Sequence, residues 1–127
     1  MDDAERNDAG KALMRQLFAG APSGGRRLPK EMMRHTVGHV FGDLWQNEDL
    51  AVEERSLVTC TILTALGKEA ELQLHVRAAR NLGIERAKLE AMMIHASHYA
   101  GWPTGVAALR ILDEVWETMD GEAAADV

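Results

Sequence analysis

The sequence predicts an all-α protein, a single-domain helical bundle of about six helices. Three observations carry this. Val, Ile and Thr are scattered rather than alternating, so no strand–turn–strand pattern forms. The apolar residues instead recur at helical spacing. The periodic segments also end at glycines, Gly20, Gly67, Gly83 and Gly101, and short glycine-stopped helices pack as antiparallel neighbours. The 127 residues suit one domain, and no internal repeat is visible.

The first helix is expected over Ala4–Phe18, with Ala12, Leu13, Leu17 and Phe18 on its apolar side, and it stops at Gly20. Residues 21–28, APSGGRRL, read as a loop by composition. Pro29 suits the first turn of a second helix running to about Trp45. Asn47, Glu48 and Asp49 break it. A third helix, Val52–Leu66, would bury Leu57, Val58, Thr61, Ile62 and Ala65, and Gly67 ends it. The fourth, Lys68–Leu82, leads to Gly83, expected as a left-handed cap. The fifth covers Arg86–Ala100. Pro103 opens the sixth, which runs to about Met119, and residues 120–127 are expected to fray.

Composition narrows the function. Aromatic residues are only 5% of the chain, and a small domain built on Ala, Leu and Met often buries further surface by self-association. A net charge of -6 argues against nucleic-acid or anionic-membrane partners. It also means that an anionic substrate needs a local basic site. The lone Cys60 permits no intrachain disulfide and fits a reducing compartment; mid-helix among apolar residues, it reads as an inert buried thiol. The N-terminal residues lack the pattern of a secretion signal, and no apolar run is long enough to span a bilayer, so a cytoplasmic location is expected.

The candidate chemistry centres on GKEAELQLHVRAARNLG, residues 67–83. Glu71 and His75, at i and i+4, share a helix face and can touch. A carboxylate beside an imidazole fixes its tautomer and raises its basicity, which suits proton transfer near neutral pH. An ordinary surface pair, or a core histidine bonded to backbone, is the commoner meaning of the same spacing taken alone. On the fifth helix Met92, His95, Ala96 and Tyr99 share a stripe that would turn His95 inward, with His98 toward the other edge. His35 and His39 form another i, i+4 pair. No carboxylate completes a recognisable metal-ligand set around these histidines, so no metal site is assigned. Arg26, Arg27, Lys30 and Arg34 form the basic cluster, without the interleaved aromatics of a base-stacking surface. Phosphate-loop, nucleophile-elbow and zincin motifs are missing from the sequence.

Several linked elements between Phe41 and Trp116 go further: F-G-x-x-W, the R-S-L-V-T helix, A-L-G-x-x-x-E-L-x-x-H and H-x-S-x-Y-A-G-x-P. Together they resemble the γ-carboxymuconolactone decarboxylase family, with a domain core over about residues 41–118. The resemblance implies an all-helical trimer or hexamer with active sites near subunit contacts. Alkylhydroperoxidase-D-like members of the wider superfamily place C-x-x-C ahead of the same histidine. Lys68 and Glu71 occupy those cysteine positions here, which leaves thiol-based peroxide reduction without its thiols.

What the resemblance implies about the site is specific. Glu71 and His75 fall on the family's proton-handling pair, and His95 on the histidine of the H-x-S-x-Y-A-G segment, as a second catalytic candidate. Arg55, Trp45 and Tyr99 fall on substrate-binding positions, and Arg55 would bind a substrate carboxylate unless it pairs with Glu53 or Glu54 at the helix start. The implied reaction is cofactor-free decarboxylation of 4-carboxymuconolactone or a related carboxylated lactone in aromatic-compound breakdown, the unsaturated lactone serving as its own electron sink. The alternatives are a relative acting on another small carboxylic or keto acid, and a non-catalytic ligand-binding oligomer.

Overall fold

A computed structural model describes residues 1–22 and 28–126. Arg26 and Arg27 of the basic cluster, with most of the expected loop, lie outside the described residues. The described chain is all-helical: α1 Asp3–Leu17, α2 Lys30–His35, α3 Val52–Leu66, α4 Glu69–Asn81, α5 Arg86–Ala100 and α6 Trp102–Ala125. α2 continues as a π-helical segment, Thr36–Phe41, and a single 3₁₀ turn, Leu44–Gln46, follows.

The helix ends follow from local chemistry. At the start of α1 the Asp2 carboxylate accepts from the Glu5 N–H at 2.8 Å, and the Glu5 carboxylate accepts from the Asp2 N–H at 3.1 Å, a reciprocal capping box. Glu54 reaches back to the Ala51 N–H at 2.8 Å and steadies the start of α3. Gly67 and Gly83 take φ of 69° and 87°, which non-glycine residues rarely adopt, and end α3 and α4 where expected.

Two apolar clusters hold the helices. The larger joins α3 to α6 through Cys60, Leu72, Val76, Leu89, Met93, Ile111, Leu112 and Val115. The smaller gathers Leu13 and Leu17 of α1, Phe41, Trp45 and Ala78, with Phe18, Val52 and Leu82 packed on it. α1 lies unusually close to the π-helical segment. A Cβ on Gly10 would sit 2.1 Å from the Val37 carbonyl oxygen, and one on Gly42 would sit 2.2 Å from that of Arg6. These glycines let two backbones touch.

Four expectations change. The second helix is α-helical only over Lys30–His35 and stops at Phe41 after its π-helical segment, where Gly42 packs against the Arg6 carbonyl of α1. α3 is rotated from its expected orientation: Ser56, Cys60 and Thr64 face the core, while Val58 and Ile62 are 46% and 51% exposed. Small side chains on the inner line let α3 approach α4 closely, and the branched apolar residues are left outside. α5 buries Leu89, Met93, Ala96 and Ser97, which turns His95 outward rather than toward the core. Finally, α6 stays helical to Ala125, past the expected end at Met119. Its extra turns are tied to α4 by a bidentate Arg77–Glu122 pair, both contacts at 2.8 Å, and by Arg80, which donates to Asp120 and lies over the Trp116 ring at 4.9 Å.

Candidate functional site

His75 sits midway along α4 where the two clusters meet. The Cys60 thiol donates to its backbone carbonyl at 3.5 Å, which presses α3 against α4 behind the imidazole. The ring itself is half-buried. Trp45 stacks over it with centroids 6.5 Å apart and planes at 30°, and Phe18 meets it edge-on at 5.4 Å and 86°. Phe41 links the two, edge-on to Phe18 at 5.6 Å and tilted against Trp45 at 5.4 Å. The 3₁₀ turn thus supplies one aromatic wall and the end of α1 the other, with Phe41 of the π-helical segment bracing both. Gln46 steadies that turn by donating to the Phe41 carbonyl at 2.9 Å.

Burial among these rings disfavours the charged imidazole and pushes the His75 pKa below its ordinary value; the Glu71 carboxylate opposes this with a smaller effect. Glu71 is exposed one turn away and acts through its charge, with no hydrogen bond to His75 among the described residues. Burial therefore favours the neutral imidazole. Its Nδ1 is buried and has no partner among the described residues, which is uncommon for a buried polar atom.

Glu54 accepts from the Ala51 N–H, and Arg55 pairs with neither Glu53 nor Glu54 among the described residues. Its Nη2 instead donates to the Asn47 carbonyl at 3.1 Å and to Asn47 Oδ1 at 3.2 Å, just beyond the turn that carries Trp45. Its Nε is buried without a partner among the described residues. A guanidinium held by neutral oxygens keeps its charge available to an anion. The fold thus brings together His75 and Trp45, while Arg55 is tied to Asn47, two residues past Trp45 in sequence.

His95 and Tyr99 are placed differently. They stack on each other with centroids 4.9 Å apart on the outer face of α5, and Tyr99 is 84% exposed. Neither ring meets His75 among the described residues. His98 likewise faces out, with Nδ1 2.8 Å from the Ile94 carbonyl. No group of three or more His, Cys, Asp or Glu side chains gathers as a metal-binding set among the described residues. Cys60 is fully buried, and burial pushes its thiol up to about 12, so it is inert as a nucleophile.

Phe18 stands out in the sequence only as part of the apolar side of its helix, and Asn81 does not stand out. The Asn81 side chain donates to the Leu17 and Ala19 carbonyls at 2.8 and 3.1 Å and fixes the end of α1 on α4. The available signal was scarcity, since Phe18 is one of two phenylalanines in the chain.

Comparison with known proteins bears on this arrangement. The sequence model of the carboxymuconolactone decarboxylase family matches residues 30–114, more than half of the chain. The chain belongs to the carboxymuconolactone decarboxylase family. A 4-carboxymuconolactone decarboxylase of Acinetobacter baylyi is 39% identical over 79 residues, 62% of this chain and 59% of that protein. A nitrosuccinic acid decarboxylase of Metarhizium robertsii is 29% identical over 79 residues, 62% of this chain and 55% of that protein. The chain thus spans little more than half the length of these relatives. The family match includes His75, Glu71, Trp45, Arg55, His95 and Tyr99, and leaves α1 outside.

Proposed function

We propose that this protein is a cofactor-free decarboxylase of a small anionic substrate, with 4-carboxymuconolactone or a related carboxylated lactone as the leading candidate. The observation that carries the reading is the unpartnered, half-buried imidazole of His75 walled by Trp45 and Phe18, in a chain similar to two named decarboxylases. A carboxylated lactone and a nitro-substituted dicarboxylic acid share one property. Each has an acceptor group able to take the electron pair left behind when carbon dioxide departs.

The bond that breaks joins the substrate carboxylate to the ring carbon next to the ring oxygen. Its electron pair moves through the ring double bond onto the lactone carbonyl, giving a dienolate and carbon dioxide. A proton then adds to the carbon alpha to the carbonyl, and the product is the isomeric decarboxylated lactone. His75 delivers that proton. Although burial favours the neutral ring, a bound dianion and then a dienolate raise its basicity and let it take up a proton from solvent. Glu71 adds to the same bias through its charge. Arg55 supplies the positive charge for a substrate carboxylate, and Trp45 gives a flat apolar wall against the ring. The apolar surroundings strengthen each of these electrostatic contacts.

His95 and Tyr99 join this site only across a subunit contact. Support for self-association comes from α3, where Val58, Ile62 and Leu66 form an outward apolar line with Leu66 64% exposed. A trimer or hexamer that covers this line is the expected state. Replacing Ile62 with Lys should reduce the mass measured by light scattering, and an unchanged mass would reject α3 as the contact.

The reaction is tested by following ultraviolet absorbance and carbon dioxide release from 4-carboxymuconolactone. Turnover supports the substrate. A folded protein that releases no carbon dioxide from it rejects this substrate and directs the search to other carboxylated lactones and small keto acids.

A further inference from the structure

One wall of the His75 site comes from a part of the chain that the family match does not reach. Phe18 caps the C-terminus of α1, outside residues 30–114, and meets the imidazole edge-on at 5.4 Å. Its position is enforced from both sides. Asn81 donates to the carbonyls of Leu17 and Ala19, the residues flanking Phe18. Asn81 lies on α4, as does His75, so one helix carries the imidazole and fastens the segment that covers it. Toward the middle of α1, Gly10 lies against the Val37 carbonyl and fixes the helix along the π-helical segment. α1 is therefore built into the site rather than laid over it.

We propose that Phe18 is a positioning residue for His75, latched by Asn81, whose ring holds the imidazole plane against Trp45 and keeps bulk water from Nδ1. This rests on the reading of His75 as the proton-transfer group. The charged and titratable surroundings are few. From α3 the Cys60 thiol reaches only the His75 backbone carbonyl, the 3₁₀ turn and α1 present Trp45 and Phe18, and the one charge acting on the ring among the described residues is Glu71 of its own helix. Removal of the Phe18 ring thus changes solvent access without removing a charge.

The test is a proton NMR titration of the His75 imidazole in the full chain, its resonance assigned by loss in His75→Gln. Wild type is compared with Phe18→Ala and Asn81→Ala, each checked for folding by circular dichroism. The rate of His75 acylation by diethyl pyrocarbonate, mapped by mass spectrometry, is read alongside. In both variants the titration midpoint should move upward, toward that of a free imidazole, and acylation should speed up. With substrate, kcat should fall by up to about 10²-fold with little change in KM, as expected when a reacting group loses its alignment.

An unmoved midpoint and unchanged acylation in folded Phe18→Ala overturn the proposal. A response to Phe18→Ala but not to Asn81→Ala overturns the latch. Should Phe18→Ala fail to fold, Asn81→Ala decides alone, since its side chain is half-exposed and bonds only to the Leu17 and Ala19 carbonyls among the described residues. A moved midpoint in a protein that turns over no carboxylated lactone rejects the reaction and leaves the ring's hold on His75 standing. Full turnover with an unmoved midpoint does the reverse.

Discussion

Gly10→Ala is the sharpest test of how the His75 site is assembled, because two effects of opposite sign meet there. Gly10 lies inside α1, where replacing glycine by alanine ordinarily stabilises a helix by about 1 kcal/mol. The new methyl, however, would sit 2.1 Å from the Val37 carbonyl oxygen and 3.0 Å from the Gly42 nitrogen. Both are backbone atoms, so no side-chain rotation relieves the clash, and α1 must retreat by about 1 Å. Overpacking of this kind costs about 3 kcal/mol at its upper range. The net loss is about 2 kcal/mol once the helical gain of about 1 kcal/mol is set against it. For a domain of this size that lowers Tm by about 6–8 °C. Gly121, in α6, is the control: a Cβ there meets nothing within 4 Å and its φ is not positive. Gly121→Ala should raise stability by about 0.5–1 kcal/mol. The assay is thermal unfolding by circular dichroism for both variants. A Gly10→Ala protein as stable as wild type, or more so, would refute the close contact between α1 and the π-helical segment.

Two further outcomes concern pH. Burial holds the folded Cys60 thiol at about 12 against an ordinary 9.0. Above about pH 9 the unfolded chain therefore loses a proton that the folded chain keeps, and stability should fall as pH rises toward 12. Urea midpoints should decline on the alkaline side in wild type and decline less in Cys60→Ala, with equal slopes counting against a buried neutral thiol. His75 behaves in the opposite sense. Its folded pKa lies below 6.5, so as pH falls through 6.5 the unfolded chain binds a proton that the folded chain does not, and this contribution is lost toward acid. In His75→Gln the acid limb of the stability profile should flatten; a limb of unchanged steepness would mean that the imidazole is not buried as described.

Much of this was legible in the sequence, for identifiable reasons. Gly67 and Gly83 mark helix ends because only glycine takes their φ at no cost. Trp45 and His75 stand out through the linked motifs of the family, and the fold stacks them. The orientation of α3 was not legible, because hydrophobicity points to Val58 and Ile62 while close packing selects Ser56, Cys60 and Thr64. Size, rather than polarity, decides which line of a tightly packed helix faces in. The orientation of His95 was not legible because either methionine could anchor the inner stripe, and Met93 rather than Met92 occupies the core. The end of α6 escaped because what holds it is not local. Arg77 and Arg80 reach it from α4, some forty residues away in sequence. Phe18 and Asn81 lie farther apart still, and only the fold brings Asn81 to the carbonyls flanking Phe18 and Phe18 to the imidazole.

The central claim is that His75 transfers the proton in a decarboxylation. The most direct measurement is kcat/KM for 4-carboxymuconolactone, followed by ultraviolet absorbance, in wild type and in His75→Ala, with both shown to be folded by circular dichroism. Wild-type turnover and a loss of about 10²- to 10⁴-fold in the variant are expected. Turnover that survives intact in a folded His75→Ala protein would contradict it.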